Sequence, residues 1–253
     1  MEKNPIENLI YHGGYTGIFR RIGFVGDSLS SGEFESKDEN GVVDWYDMYE
    51  YSWGQFIGRK CGLEAFNFSM GGMTARQFRT EHFAQHCGFL DRSKVCQAYV
   101  IALGVNDIMN AGHPMGTLAD ICLEDYNKNA DTFAGNYGKI IQRYKEIQPD
   151  AKFFLVTKPK DNRDERNPFG ADDISNLLYE MAELFPNTYV IDWRKYGPVC
   201  DEEFRKRFFV GGHMNAAGYL MTAKIISSYI DYIIRHDFEA FSQIGFVGTP
   251  YKY

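Results

Sequence analysis

Five short runs of apolar residues recur along the chain, Ile22 to Val25, Ala65 to Phe68, Ala98 to Leu103, Phe153 to Val156 and Tyr189 to Ile191. They are brief, mostly β-branched or aromatic, and do not alternate with polar residues, which is the pattern of parallel strands covered on both faces. Longer stretches with helical periodicity lie between and after them: Trp53 to Lys60, Thr74 to Gln85, Leu123 to Ile147, Asp172 to Leu184 and Asn215 to Ile234. In the last of these, Ala216, Leu220, Ala223, Ile226, Tyr229 and Ile233 recur at three- and four-residue steps and so share one helical face. Strands alternating with helices make right-handed crossovers and an open parallel sheet.

No repeat, composition break or Pro/Gly/Ser linker divides the chain, so residues 1–253 are expected to form a single domain, with an N-terminal extension over 1–20 and an aromatic C-terminal tail over 237–253. The tail can pack back on the domain or contact another subunit. The most polar stretches, Ser31 to Tyr51 and Lys158 to Asp173, read as long loops. Both follow C-terminal strand ends, where an open parallel sheet places its binding crevice.

Composition narrows the function classes. The 253 residues are 44% hydrophobic and 24% charged, enough apolar material for a sizeable core. With 27 Lys+Arg against 34 Asp+Glu the net charge is −7, which argues against a nucleic-acid partner. Cys61, Cys87, Cys96, Cys122 and Cys200 are odd in number and lack C-x-x-C spacing, so neither a disulfide framework nor a structural zinc site is expected. The N-terminal MEKNPIENLIYHGG has no apolar signal segment and no stretch approaches eighteen uninterrupted apolar residues. A cytoplasmic protein without membrane insertion is expected.

Four segments carry candidate chemistry. The first strand runs into Gly26-Asp27-Ser28, setting the Ser28 hydroxyl at the sheet edge, where it is a nucleophile or simply a capping or turn serine. Asn67 to Thr74 leaves the second strand through Gly71-Gly72, a pair that permits close backbone approach. Asn106 ends the third strand and can donate to an oxyanion or make a local turn. His213 sits in a glycine-containing loop before the final helix.

Ser, Gly, Asn and His in that order, each at a strand-to-helix junction between Gly26 and Tyr219, resemble the SGNH hydrolases, also called GDSL esterases and lipases. The resemblance implies a three-layer α/β/α fold with a five-stranded, flavodoxin-like parallel sheet of order 2-1-3-4-5. It also implies Ser28 as nucleophile, His213 as general base, and an oxyanion hole from Ser28 N–H, Gly72 N–H and the Asn106 side chain. Gly72 is preferred to Gly71 because Asn67 to Thr74 matches the family pattern Asn-x-[Gly/Ser]-x-x-Gly-x-Thr with Gly72 in register. The family usually carries Asp three residues before the histidine; here that residue is Val210. Asp192, Asp201, Glu202 or Glu203 can replace it, a backbone carbonyl can orient the ring, or the enzyme works as a Ser-His dyad.

Other constellations read more plainly. His82 and His86 stand one helical turn apart beside Cys87 but lack a third ligand, so they read as a solvated helical face rather than a metal site. Asp38, Glu39, Asp44, Asp47 and Glu50 read as an acidic loop that holds a hydroxylated substrate or keeps water around a lid. Lys158, Lys160 and Arg163 are nearly cancelled by Asp161, Asp164 and Glu165. The expected function is a serine esterase acting through an acyl-enzyme, without metal or cofactor. Its expected partner is a small-molecule ester, a short acyl group on a carbohydrate or other polar alcohol; homo-oligomerisation is left open. The alternatives are a lysophospholipase or thioesterase-type lipid hydrolase, a catalytically weak SGNH-fold binding protein, and a flavodoxin-like ligand-binding module.

Overall fold

A computed structural model describes residues 4–79, 87–162 and 171–244. Five parallel strands form the central sheet: β1 Arg21–Gly26, β4 Glu64–Ser69, β5 Ala98–Ala102, β6 Lys152–Val156 and β7 Thr188–Ile191, in the order β4-β1-β5-β6-β7. This is the expected 2-1-3-4-5 order of a doubly wound sheet. Register pairs Gly23 with Phe66 on one side and with Tyr99 on the other, so the three strands that carry Asp27-Ser28, Gly71-Gly72 and Asn106 finish at one edge.

Side-chain alternation along β5 shows why both faces are covered. Ala98 and Val100 pack with Trp53 and Ile57 of α2 (Trp53–Cys61) and with Tyr219, Ile226 and Ile230 of the C-terminal helix α8 (Ala216–His236). Tyr99 and Ile101 point the other way, against Phe78 of α3 (Ala75–Arg79), Tyr137 and Ile141 of α4 (Phe133–Ile147) and Leu178 of α5 (Ala171–Leu184). Segments near both ends of the described chain pack on this frame. Tyr15 N–H donates to Asp231 Oδ1 at 2.8 Å, and Phe241 is buried against Phe19, Phe154 and Tyr189. Among the described residues no helix is long and apolar enough to cross a membrane.

Two expectations are corrected. The helix expected from Leu123 begins only at Phe133. Upstream, Asp125 accepts from Asn127 N–H at 3.0 Å, Asn129 Oδ1 accepts from Cys122 N–H at 2.8 Å, and Thr132 caps α4 through Gly135 N–H at 3.1 Å. Short polar side chains thus take the backbone donors that a helix would use. The stretch Ser31 to Tyr51, expected as a loop, contains an antiparallel hairpin of β2 Glu33–Lys37 and β3 Val43–Asp47, pairing Glu33 with Asp47. Asp38 closes its turn by accepting from Asn40 and Val42 N–H. The remainder of the second predicted helix, 80–85, lies outside the described residues.

Candidate active site

Ser28 opens α1 (Ser28–Ser31), a single helical turn placed directly after β1. Asp27 is its cap: Oδ1 accepts from Leu29 N–H at 3.1 Å, and its carbonyl accepts from Ser30 and Ser31 at 3.0 Å each. The residue that starts such a turn keeps an N–H with no intrahelical acceptor. Gly32 ends the turn at φ +81°, where a side chain would be strained.

After β4, Gly72 takes φ +70° and lies exposed on the pocket wall. A Cβ at Gly71 would displace the Glu33 carboxylate from its present place. Thr74 then caps α3 reciprocally with Gln77, N–H to Oε1 at 2.8 Å and N–H back to Oγ1 at 3.2 Å. Asp107, fully buried, accepts from Ala75 N–H at 2.9 Å and lies 3.3 Å from His113 Nδ1. Burial raises its pKa against the lowering effect of those bonds. The carboxylate therefore ties the glycine loop to the segment that presents its neighbour, Asn106.

Asn106 begins a turn of π-helix, Asn106–Asn110. Its Nδ2 donates to the Met73 carbonyl at 3.2 Å and lies 3.4 Å from Asp27 Oδ2, while its Oδ1 accepts from Asn110 at 2.6 Å. Asp27 lines the same pocket. Desolvation, with the like charges of Asp107 and Glu33 adding to it, pushes its carboxyl up to about 6.

His213 belongs to a two-residue hairpin, β8 Phe209–Val210 and β9 His213–Met214, with Gly211 at φ +60°. Its Nε2 lies 3.0 Å from Glu33 Oε1, and its Nδ1, buried without a hydrogen bond, lies 3.7 Å from Glu35 Oε2. That Glu35 oxygen accepts from Gly212 N–H at 2.7 Å. Strand alternation puts Glu33 and Glu35 on one face of β2, while Phe34 on the other packs against Tyr51 and Tyr219. Tyr219 O–H also donates to the Glu33 carbonyl at 2.5 Å, so the first turn of α8 fixes the strand. Burial and Asp47 raise the Glu33 pKa, and His213 lowers it.

Ser28, Gly72, Asn106 and His213 thus border one pocket of about 520 Å³, together with Asp27, Glu33 and Trp45. The four carboxylates proposed beside His213 are engaged elsewhere. Asp192 is buried, capping α6 (Trp193–Tyr196) and bonded to Thr157 Oγ1 at 3.1 Å and to Tyr179 O–H at 2.7 Å. Asp201 caps α7 (Glu202–Phe208), and Glu202 and Glu203 pair with Lys206 on its exposed surface. Glu33 and Glu35 were not singled out from sequence, although their two-residue spacing is the signal of a shared strand face.

The acidic stretch divides in the same way. Asp38 builds a turn, Asp44 caps Trp45 N–H and accepts from Tyr46 O–H at 3.0 Å, and Asp47 accepts from Ser31 Oγ. Lys158 and Asp161 line the pocket, Asp161 paired with Arg205; Lys160 borders a separate surface depression. His82, His86, Arg163, Asp164 and Glu165 lie outside the described residues. Among the described residues no group of three or more His, Cys, Asp or Glu side chains could hold a metal ion.

Comparison with known proteins places the chain in a family. The profile of the GDSL-like lipase/acylhydrolase family matches residues 24–221. The fold is similar to that of a family two carbohydrate esterase from Clostridium thermocellum solved in complex with cellohexaose, at 16% identity and TM-score 0.58, covering 87% of this chain and 65% of that one. A carbohydrate esterase family 2 enzyme with a carbohydrate-binding domain from Corynascus thermopiles (Myceliophthora fergusii) gives 17% identity and TM-score 0.57 over 88% and 67%. A possible lipase from Chitinophaga pinensis DSM 2588 gives 17% and 0.52 over 85% and 98%. No curated protein matches the sequence significantly. The chain belongs to the GDSL-like lipase/acylhydrolase family and is an ester-hydrolysing enzyme of the SGNH fold.

Proposed function

We propose that the protein is a serine esterase that removes a short acyl group from a carbohydrate or similar polar alcohol through an acyl-enzyme. The observation that carries this reading is the convergence of Ser28, Gly72, Asn106 and His213 on one pocket at the C-terminal edge of the sheet. In the reaction Ser28 Oγ attacks the ester carbonyl carbon as His213 takes its proton. The carbonyl oxygen gains the negative charge and is held by Ser28 N–H, Gly72 N–H and Asn106 Nδ2, whose long contact with Asp27 is the one it exchanges. The C–O bond breaks, His213 protonates the leaving alcohol, and water, deprotonated by the same imidazole, releases the acid.

The substrate class is supported by Trp45. The residue lines the pocket and is 51% exposed, and a half-exposed indole offers a flat apolar face beside polar groups, as a sugar ring requires. The fold similarity to carbohydrate esterases agrees with this choice. The test is a panel of O-acetylated sugars and p-nitrophenyl esters of increasing chain length, run on wild type and Trp45→Ala. Highest turnover on acetyl sugars, with a KM raised on the order of tenfold in the variant, is expected. Rates that climb toward long acyl chains and ignore Trp45 would favour the lipid-hydrolase reading.

A further inference from the structure

We propose that Glu35 takes the place of the acid missing at Val210 and acts as the positioning residue for His213, delivered from the hairpin β2–β3 rather than from the histidine's own loop. The inference rests on His213 being the base in the reaction above.

Three observations assign the two glutamates different parts. Glu33 lines the pocket and meets Nε2, whereas Glu35 does not line the pocket and stands against Nδ1. Nδ1 is buried with no hydrogen-bond partner, and the nearest carboxylate oxygen to it is Glu35 Oε2 at 3.7 Å. That oxygen is anchored by Gly212 N–H at 2.7 Å, one residue from His213, so strand and histidine loop are already joined at this atom. A closing movement of under about 1 Å brings Nδ1–H within the 2.7–3.2 Å of a hydrogen bond.

The chemical consequence follows from what a base needs. With Nδ1–H donated to Glu35, the imidazole keeps its lone pair on Nε2, which is the tautomer that can accept the Ser28 proton, and the imidazolium then formed is stabilised by the carboxylate. Glu33 meets Nε2 in this structure, and it must yield that nitrogen to Ser28. Gly71 and Gly211 fit the same arrangement, because a Cβ on the first would strike the Glu33 carboxylate and a Cβ on the second the Glu35 carboxylate.

The test compares Glu35→Gln and Glu33→Gln in the full chain, using a p-nitrophenyl ester and Nδ1–H proton NMR of His213. Glu35→Gln keeps an oxygen for Gly212 N–H and removes the charge. It is expected to lower kcat by on the order of a hundredfold or more with KM within about threefold. It should also shift upfield or abolish a low-field His213 Nδ1–H resonance seen in wild type. A kcat within threefold of wild type, or an Nδ1–H signal unchanged in Glu35→Gln and lost in Glu33→Gln, overturns the assignment. Labelling of wild-type Ser28 by a fluorophosphonate separates the two levels. If wild type is neither labelled nor active, the serine-hydrolase reading fails, while the resonance still reports whether Glu35 holds Nδ1.

Discussion

Val210 stands directly opposite His213 across the β8–β9 hairpin. The residue three positions before the histidine is therefore its cross-strand neighbour, and here it is a 52% exposed valine that cannot accept an imidazole proton. Two glutamates from a different hairpin fill the space around the ring.

Removing an oxyanion donor should act on turnover rather than binding. Asn106→Ala is expected to lower kcat by about a hundredfold or more with a smaller change in KM, measured by steady-state kinetics on the best ester of the panel. A raised KM with unchanged kcat would make Asn106 a binding residue instead.

Asp27 gives a pH-dependent stability. Its carboxyl is raised from 3.8 to about 6, so the folded protein holds that proton more tightly than the unfolded chain does. The stabilisation is complete below about pH 4 and is lost as pH rises through about 6. Asp27→Asn retains a capping side chain. Its Tm, followed by circular dichroism, should gain on wild type as pH goes from 4 to 7; parallel curves for the two proteins would contradict the shift.

The carboxylates that sequence singled out should separate by burial. Glu202→Gln and Glu203→Gln remove exposed pairs on α7 and are expected to leave kcat within about threefold and stability within about 0.5 kcal/mol. Asp192→Ala leaves Thr157, Tyr179 and the first turn of α6 without their shared acceptor, and should cost about 2 kcal/mol or more in denaturant unfolding.

The C-terminal segment is expected to contribute to the fold. Phe241 is 6% exposed among Phe19, Phe154 and Tyr189, so Phe241→Ala should destabilise by about 3 kcal/mol. An unchanged urea midpoint would mean that its burial is energetically idle.

The five sheet strands were legible because strands buried on both faces must be continuous apolar runs, and Ala98 to Ala102 is one. The β2–β3 hairpin is hard to read in the sequence, because its alternation is carried by only Phe34 in one strand and Val43 and Trp45 in the other, amid acidic residues; its order comes from the Asp38 turn, the Tyr219 hydroxyl and pairing along the strand. The start of helix α4 is hard to place from sequence because Leu123 and Tyr126 mimic helical spacing, whereas Asp125, Asn129 and Thr132 decide the backbone there. The four motif residues are legible because each stands beside a glycine or a strand end. The glutamates at His213 belong to a contact between segments some 180 residues apart, which no local pattern encodes.

The most direct test of the account is at Ser28. Wild type treated with a fluorophosphonate probe and digested should yield one modified peptide carrying the adduct on Ser28, and Ser28→Ala should lose both labelling and ester hydrolysis with its Tm near that of wild type. Hydrolysis retained by pure Ser28→Ala, or an adduct on another serine, would contradict the assignment of Ser28 as nucleophile.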